Sequence, residues 1–227
     1  MAFISEKRIS SSPSLPRRFT AGNVLILLST CLGFGLAMHL PQWVAWENGP
    51  LESAQNFVLF AGCWVAVRAA CEFRQPSSKA LCMVAMLFWL AFFGREVAWG
   101  AVFMPPTEDS PWGPVWSSRQ LVYRPLVPYV IGWMAVCAAY VWVRYQVWSD
   151  VVVKLARTRA LPLFALLQFV GCMVISSGAE GRGLGWLHDG YGMNAMVLEE
   201  WAEVCGYLAL LLAQATVFYH LRQRETR

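Results

Sequence analysis

Residues 194–220 read NAMVLEEWAEVCGYLALLLAQATVFYH, and the reading of this run decides the fold. Its only charged side chains are Glu199, Glu200 and Glu203, all in the first half. As a helix at 1.5 Å per residue it extends about 40 Å, more than the ~30 Å thickness of a bilayer's hydrocarbon core. A stretch of that length and polarity crosses a membrane. It does so as a helix, because lipid offers no partner to an open N–H or C=O.

Five further runs of the same kind lie upstream, at residues 22–40, 52–73, 80–104, 126–145 and 160–178. Over the whole 227-residue chain 57% of residues are hydrophobic and 14% are charged. Soluble domains carry about 25% charged residues, so a soluble globular protein is excluded. The expected architecture is an all-α, six-helix transmembrane bundle. Residues 1–21 form a basic arm, 22–220 the single transmembrane domain and 221–227 a basic tail. The first run is read as a span. It is too long for the apolar part of a secretory leader, and Met38-His39-Leu40-Pro41 offers no small-residue cleavage site.

Orientation follows from the basic residues between spans. Lys7, Arg8, Arg17 and Arg18, then Arg68, Arg74 and Lys79, then Arg144, Lys154, Arg157 and Arg159, and finally Arg222, Arg224 and Arg227 account for fourteen of the 18 Lys and Arg. The opposite side holds only Arg95, Arg119, Arg124 and Arg182. By the positive-inside rule both termini are cytoplasmic, and in a bacterium the membrane is the inner one. Outward-side tryptophans (Trp43, Trp46, Trp99, Trp112, Trp116, Trp186) fit an interfacial belt. The seven cysteines stand singly within the spans and form no CxxC pair, so they read as packing residues.

The acids have the reverse distribution. Ten of the 14, Glu47, Glu52, Glu96, Glu108, Asp109, Glu180, Asp189, Glu199, Glu200 and Glu203, fall on the outer half. A charge inside a membrane span costs roughly 2.5 to 3.5 kcal/mol even on insertion scales, so acids buried together mark a functional site. With a third span ending near Met104 and a sixth starting near Asn194, Glu96 and Glu203 would each lie about 12 to 13 Å inside. Glu199 and Glu203 are i,i+4 neighbours and Glu200 and Glu203 are i,i+3, which places the three carboxylates in a sector of about 100°. Glu52 adds a fifth acid, with Gln55 and Asn56 one turn below it. Glu52 also suits a plain structural role, since it lies in a first helical turn after Pro50.

These acids call for positive charge. A divalent metal ion held by Glu52, Glu96, Glu199, Glu200 and Glu203, with His39 and His188 as nitrogen donors, is one expectation. Pairing with Arg95 is a second, and protons shared between crowded carboxyls are a third. Two long outer segments border the site. Residues 105–125 hold five prolines and read as a stiff cover; residues 178–192 hold six glycines and read as a mobile loop. Gly181, Gly183 and Gly185 follow no strand and open no helix, so they are not a dinucleotide fingerprint; HExxH, GxSxG and phosphate-loop motifs are absent from the sequence. The basic segments are accounted for by topology and anionic lipid, without nucleic acid.

Glu47-Asn48-Gly49-Pro50-Leu51-Glu52 before one span and Gly94-Arg95-Glu96-Val97-Ala98-Trp99-Gly100 late in the next resemble a group of bacterial multi-span inner-membrane proteins with E-x-G-x-x-E and G-E-E-x-x-W-G-Q patterns. Here Arg95 stands in place of the first Glu of the second pattern, and Ala101 in place of its Gln. The resemblance implies a membrane-embedded acidic site and no particular activity.

Three functions are compatible with the sequence. The first is an outward-facing acidic site that binds a divalent cation or a cationic ligand, in a protein that serves as an accessory of the envelope and partners other membrane proteins. The second is a metal-dependent hydrolase or transferase acting on a lipid-linked substrate, with Glu96 or Glu203 catalytic and Arg95, Arg119, Arg124 or Arg182 holding the phosphate. The third is a proton-coupled carrier.

Overall fold

The computed structural model describes residues 17–110, 113–182 and 185–226. Lys7 and Arg8 of the basic arm, Trp112 of the aromatic belt, Gly183 and Arg227 lie outside the described residues. Long helices stand at all six positions read from the sequence: α1 (Arg17–Leu36), α2 (Pro50–Glu72), α3 (Pro76–Glu96), then α4 (Val127–Arg144), with α6 (Leu163–Ala179) and α8 (Ala195–Glu225). Two short helices, α5 (Val153–Arg157) and α7 (Gly185–Tyr191), complete the helical elements between them, along with several single turns. Five helical segments are long and apolar enough to cross a membrane, and α6, at 17 residues, is a shorter apolar helix. The chain is thus an all-α protein of the helical membrane class.

The long α8 is the centre of the bundle. It packs most extensively on α6, and α2 and α1 lie against its other sides; α2 also pairs with α3, and α4 packs on α3. No residue of α4 is buried, and Tyr129, Trp133, Tyr140 and Val143 are widely exposed. Water would penalise such a surface and lipid does not.

Small residues set the closest approaches. A Cβ on Gly62 of α2 would fall 2.4 Å from the Trp89 indole of α3, and one on Gly206 of α8 would fall 2.5 Å from Met173 of α6. Midway along the bundle Trp89 Nε1 donates to Gln214 Oε1 of α8, and Gln214 Nε2 donates to the Gly62 carbonyl at 3.0 Å. Three helices are thereby pinned by one amide.

At the basic end, residues 148–157 are helical where the sequence reading placed a loop. A π-helical turn (Trp148–Val152) leads into α5. Val147, Val151 and Leu155 recur every four residues and pack into a core with Ala69, Phe73, Phe218 and Leu221. Glu225 accepts from the backbone N–H groups of Arg74 (2.8 Å) and Gln75 (3.2 Å), and Glu72 pairs with Arg222. The tail therefore continues α8 and ties down the α2–α3 turn.

At the acidic end two expectations are corrected. The third run does not stay helical to Met104: α3 stops at Glu96, and Trp99 (φ 56°) and Gly100 (φ 102°) turn the chain through left-handed conformations. Gly100 is suited to that geometry, whereas Trp99 is held in it by its own ring against Gly94 and by Tyr123 Oη, which donates to the Trp99 carbonyl at 2.7 Å. Residues 178–192, read as a mobile loop, contain the helical turns of α7. The proline-rich cover carries a two-stranded hairpin, β1 (Glu108–Ser110) with β2 (Gly113–Val115), in which Glu108 faces Val115. Its Gly113 lies over the Trp46 indole, and the Trp116 N–H donates to Glu47.

Candidate functional site

The start of α2, the end of α3, the upper half of α6 and the start of α8 meet at the acidic end. Glu203 lies at the centre of that meeting. It is 4% exposed, and its Oε1 accepts from Ser176 Oγ of α6 at 2.9 Å and lies 3.3 Å from Arg95 Nη2 of α3. Glu96 Oε1 accepts from Tyr207 Oη of α8 at 2.9 Å and is 3.8 Å from Arg95 Nη1. One guanidinium therefore serves two carboxylates. Arg95 itself is 59% exposed at the side chain, so it sits at the mouth of the site and not in its floor.

Glu200 meets α2. Gln55 Nε2 donates to Glu200 Oε2 at 2.6 Å and to the Glu200 carbonyl at 3.1 Å, while the other end of the same amide, Gln55 Oε1, is buried without a donor. Gln55 is 0% exposed. A buried carbonyl oxygen without a partner is costly. Glu52 is buried one turn earlier and accepts from the Asn48 N–H, which closes the first turn of α2. That is the structural role its position predicts, performed within electrostatic range of Glu96 and Glu200. Glu199 is half-buried and makes no hydrogen bond or ion pair among the described residues.

The remaining sequence candidates lie outside this meeting point. His39 is exposed beyond the end of α1. His188 is exposed on α7, where its Nδ1 bonds the Ala179 carbonyl at 2.9 Å. Arg182 pairs with Glu180 at 2.7 Å, and Arg119 and Arg124 are exposed in the outer cover without ion pairs among the described residues. Among the described residues no three His, Cys, Asp or Glu side chains come together as a metal-ligand set. The nitrogens expected as ligands are thus not delivered by their loops.

Ser176, Tyr207 and the anchoring role of Gln55 were not singled out from sequence. Tyr207 had a signal, since it follows Glu203 by one turn on the same face. Ser176 had none, because the pairing of α6 with α8 is a tertiary fact.

No protein-family model, curated protein or solved structure matches this chain. What the site does must therefore be argued from its own chemistry. Of the five glutamates, Glu96 and Glu203 pair with Arg95 and Glu199 has Arg182 within electrostatic range, so the acids outnumber the bases near them. The site's free groups, Gln55 Oε1, the second oxygen of Glu203 and the Glu199 carboxylate, are acceptors without donors. Such a site fits a guest that brings N–H or O–H donors and positive charge.

Proposed function

We propose that this chain is a six-span integral protein of a bacterial inner membrane, with both termini cytoplasmic, whose outward-facing acidic site binds a cationic ligand, in the manner of an envelope accessory or receptor-like protein. The carrying observation is that Glu52, Glu96, Glu199 and Glu203, from three helices, all lie within electrostatic range of Glu200, which is bonded to the buried Gln55, whose Oε1 lacks a donor. The opposed distribution of basic and acidic residues supports the orientation.

An organic cation suits the site better than a compact metal ion. Four of the five carboxylates already accept from fixed protein donors, and the acids are spread along one turn of α8 and across to α2 and α3. A divalent cation remains the second reading, favoured by the all-oxygen character of the free acceptors. The hydrolase or transferase reading has less behind it: of the arginines it invokes Arg95 pairs with the carboxylates, while Arg119 and Arg124 are exposed in the outer cover without ion pairs among the described residues. The carrier reading would require a titratable relay, and below Tyr207 the polar side chains on α8 are Gln214 and Thr216 until Tyr219.

Equilibrium dialysis of the detergent-purified protein against ethylammonium, and in parallel against calcium, tests this. Retention of ethylammonium by the wild type, weakened at least tenfold in Glu203→Gln, is expected. Retention of calcium in its place would favour the second reading, and retention of neither would overturn the proposal.

A further inference from the structure

An apolar groove of 460 Å³ lies between α3, α6 and α8, with Trp142 of α4 at its far side. One end is made by Leu161 and Pro162, just before α6, together with Leu81 near the start of α3 and Val217 and Phe218 of α8. Phe218 shares the core of the basic end with Phe73, Ala160 and Leu221, so this end of the groove is the basic one. From Leu81 to Phe92 the wall extends about 16 Å, close to the ~15 Å depth of one leaflet of hydrocarbon. Phe88 and Leu166 at its lips are exposed, so it opens sideways to the surrounding chains. Gln214 on its wall is already bonded to Trp89 and to the Gly62 carbonyl, so an inserted peptide would find almost no partner for its N–H and C=O groups. A hydrocarbon chain needs none.

The segment that closes the groove also carries charge. Residues 158–162 connect α5 to α6, and Leu161 and Pro162 of this connection are groove wall. Arg157 and Arg159 stand at its start, both exposed and without an ion pair among the described residues. Arg159 precedes the lining residue Leu161 by two positions, at most about 7 Å along the backbone. Arg224 comes from the opposite wall, two turns beyond Val217 on the same face of α8. Its Nη2 donates to Thr158 Oγ1 at 2.7 Å and to the Lys154 carbonyl at 3.0 Å, while its Nη1 and Nε make no hydrogen bond among the described residues. The acids of this end are engaged elsewhere: Glu72 pairs with Arg68 and Arg222, Asp150 with Lys154, and Glu225 accepts from the Arg74 and Gln75 N–H groups. Three arginines therefore adjoin the connection that ends the groove, and none of them is neutralised by a carboxylate.

We infer that the groove and these arginines form a site for a phospholipid of the leaflet on the basic side with a net negative head of the phosphoglycerol kind, one acyl chain in the groove and the phosphate on Arg157, Arg159 and Arg224. Charge selects the head, because a zwitterionic lipid would bring its own cation among three guanidinium groups. Guanidinium suits phosphate in particular, since its forked N–H donors match two phosphate oxygens at once. The site is at the opposite end of the bundle from the glutamates and does not depend on what they bind.

The test is native mass spectrometry of the full chain in a nonionic detergent, titrated with two lysolipids that share one acyl chain and differ in head, phosphoglycerol and phosphocholine, and with glycerol phosphate, which has no chain. The wild type should hold the phosphoglycerol lysolipid at least tenfold more tightly than the phosphocholine one, and should not retain glycerol phosphate. The double variant Arg157→Gln, Arg159→Gln should lose the preference while phosphocholine retention stays at the wild-type level. A second double variant, Arg68→Gln with Lys79→Gln, removes as much charge from the same end at exposed positions away from this connection and should keep the preference. Leu166→Trp, at a lip position 37% exposed and so tolerant of bulk, and Ala85→Phe deeper in the groove should each weaken both lysolipids at least tenfold. Equal retention of the two heads, the same loss of preference in both double variants, retention of glycerol phosphate as tight as that of the lysolipid, or unchanged retention in the groove variants overturns the inference.

Discussion

Replacing Gly62 with alanine separates packing from helix propensity in this bundle. The added Cβ would lie 2.4, 2.5 and 2.7 Å from three atoms of the Trp89 indole, where contact needs about 3.5 Å or more. Trp89 is 2% exposed and anchored through Nε1 to Gln214, so the ring must shift by about 1 Å and strain that bond. Overpacking of this kind costs about 1 to 3 kcal/mol. Relief of glycine's helical penalty returns up to about 1 kcal/mol. The net expectation is a loss of about 1 to 2 kcal/mol. Gly132 on α4 supplies the control: nothing lies within 4 Å of its added Cβ, so Gly132→Ala should stabilise by up to about 1 kcal/mol. Reversible unfolding in mixed dodecyl maltoside and dodecyl sulfate micelles reads both. If Gly62→Ala moved the transition in the same direction and by the same amount as Gly132→Ala, the close α2–α3 contact and the reasoning built on it would be refuted.

Three further outcomes follow from the same contacts. Tyr207→Phe removes the hydroxyl that Glu96 accepts from and should destabilise by about 1 to 3 kcal/mol in the same unfolding assay, whereas Tyr140→Phe on the lipid face should have no measurable effect. Gln214→Leu leaves the buried Trp89 N–H without an acceptor and should cost about 0.6 to 1.7 kcal/mol, the range of interhelical hydrogen bonds in membranes; a neutral result would mean that the three-helix pin is not formed. An impermeant maleimide should label Cys71, exposed at the basic end of α2, only in inverted membrane vesicles, and should leave the buried Cys82 unlabelled on either side. Labelling of Cys71 from the outside would reverse the proposed orientation.

The long apolar helices were legible because a membrane span obeys a length and polarity rule that needs no tertiary information. Their ends were less so. Residues 97–104 are as apolar as the span before them, yet the chain leaves the helix at Glu96 because Trp99 folds back onto Gly94, a contact that hydropathy does not encode. Residues 148–157 carry enough charge to read as a loop, and their four-residue spacing of Val147, Val151 and Leu155 was the overlooked sign of an amphipathic cap. Of the site, the glutamates were legible because a carboxylate in a span is an exception that needs a reason. Their partners were not, since Ser176, Gln55 and Tyr207 are ordinary residues whose importance comes from which helices touch. His39 and His188 stand exposed on segments outside the meeting point of the glutamates, a placement set by tertiary turns and not by hydropathy.

The most direct measurement of the central claim is an infrared difference spectrum of the reconstituted protein, recorded as ethylammonium is perfused over it and withdrawn. Binding among the glutamates predicts reversible difference bands in the carboxyl and carboxylate regions that vanish in Glu203→Gln and persist in Glu108→Gln, a control in the outer hairpin. A featureless wild-type spectrum at saturating ligand, or one unchanged by Glu203→Gln, would contradict the account.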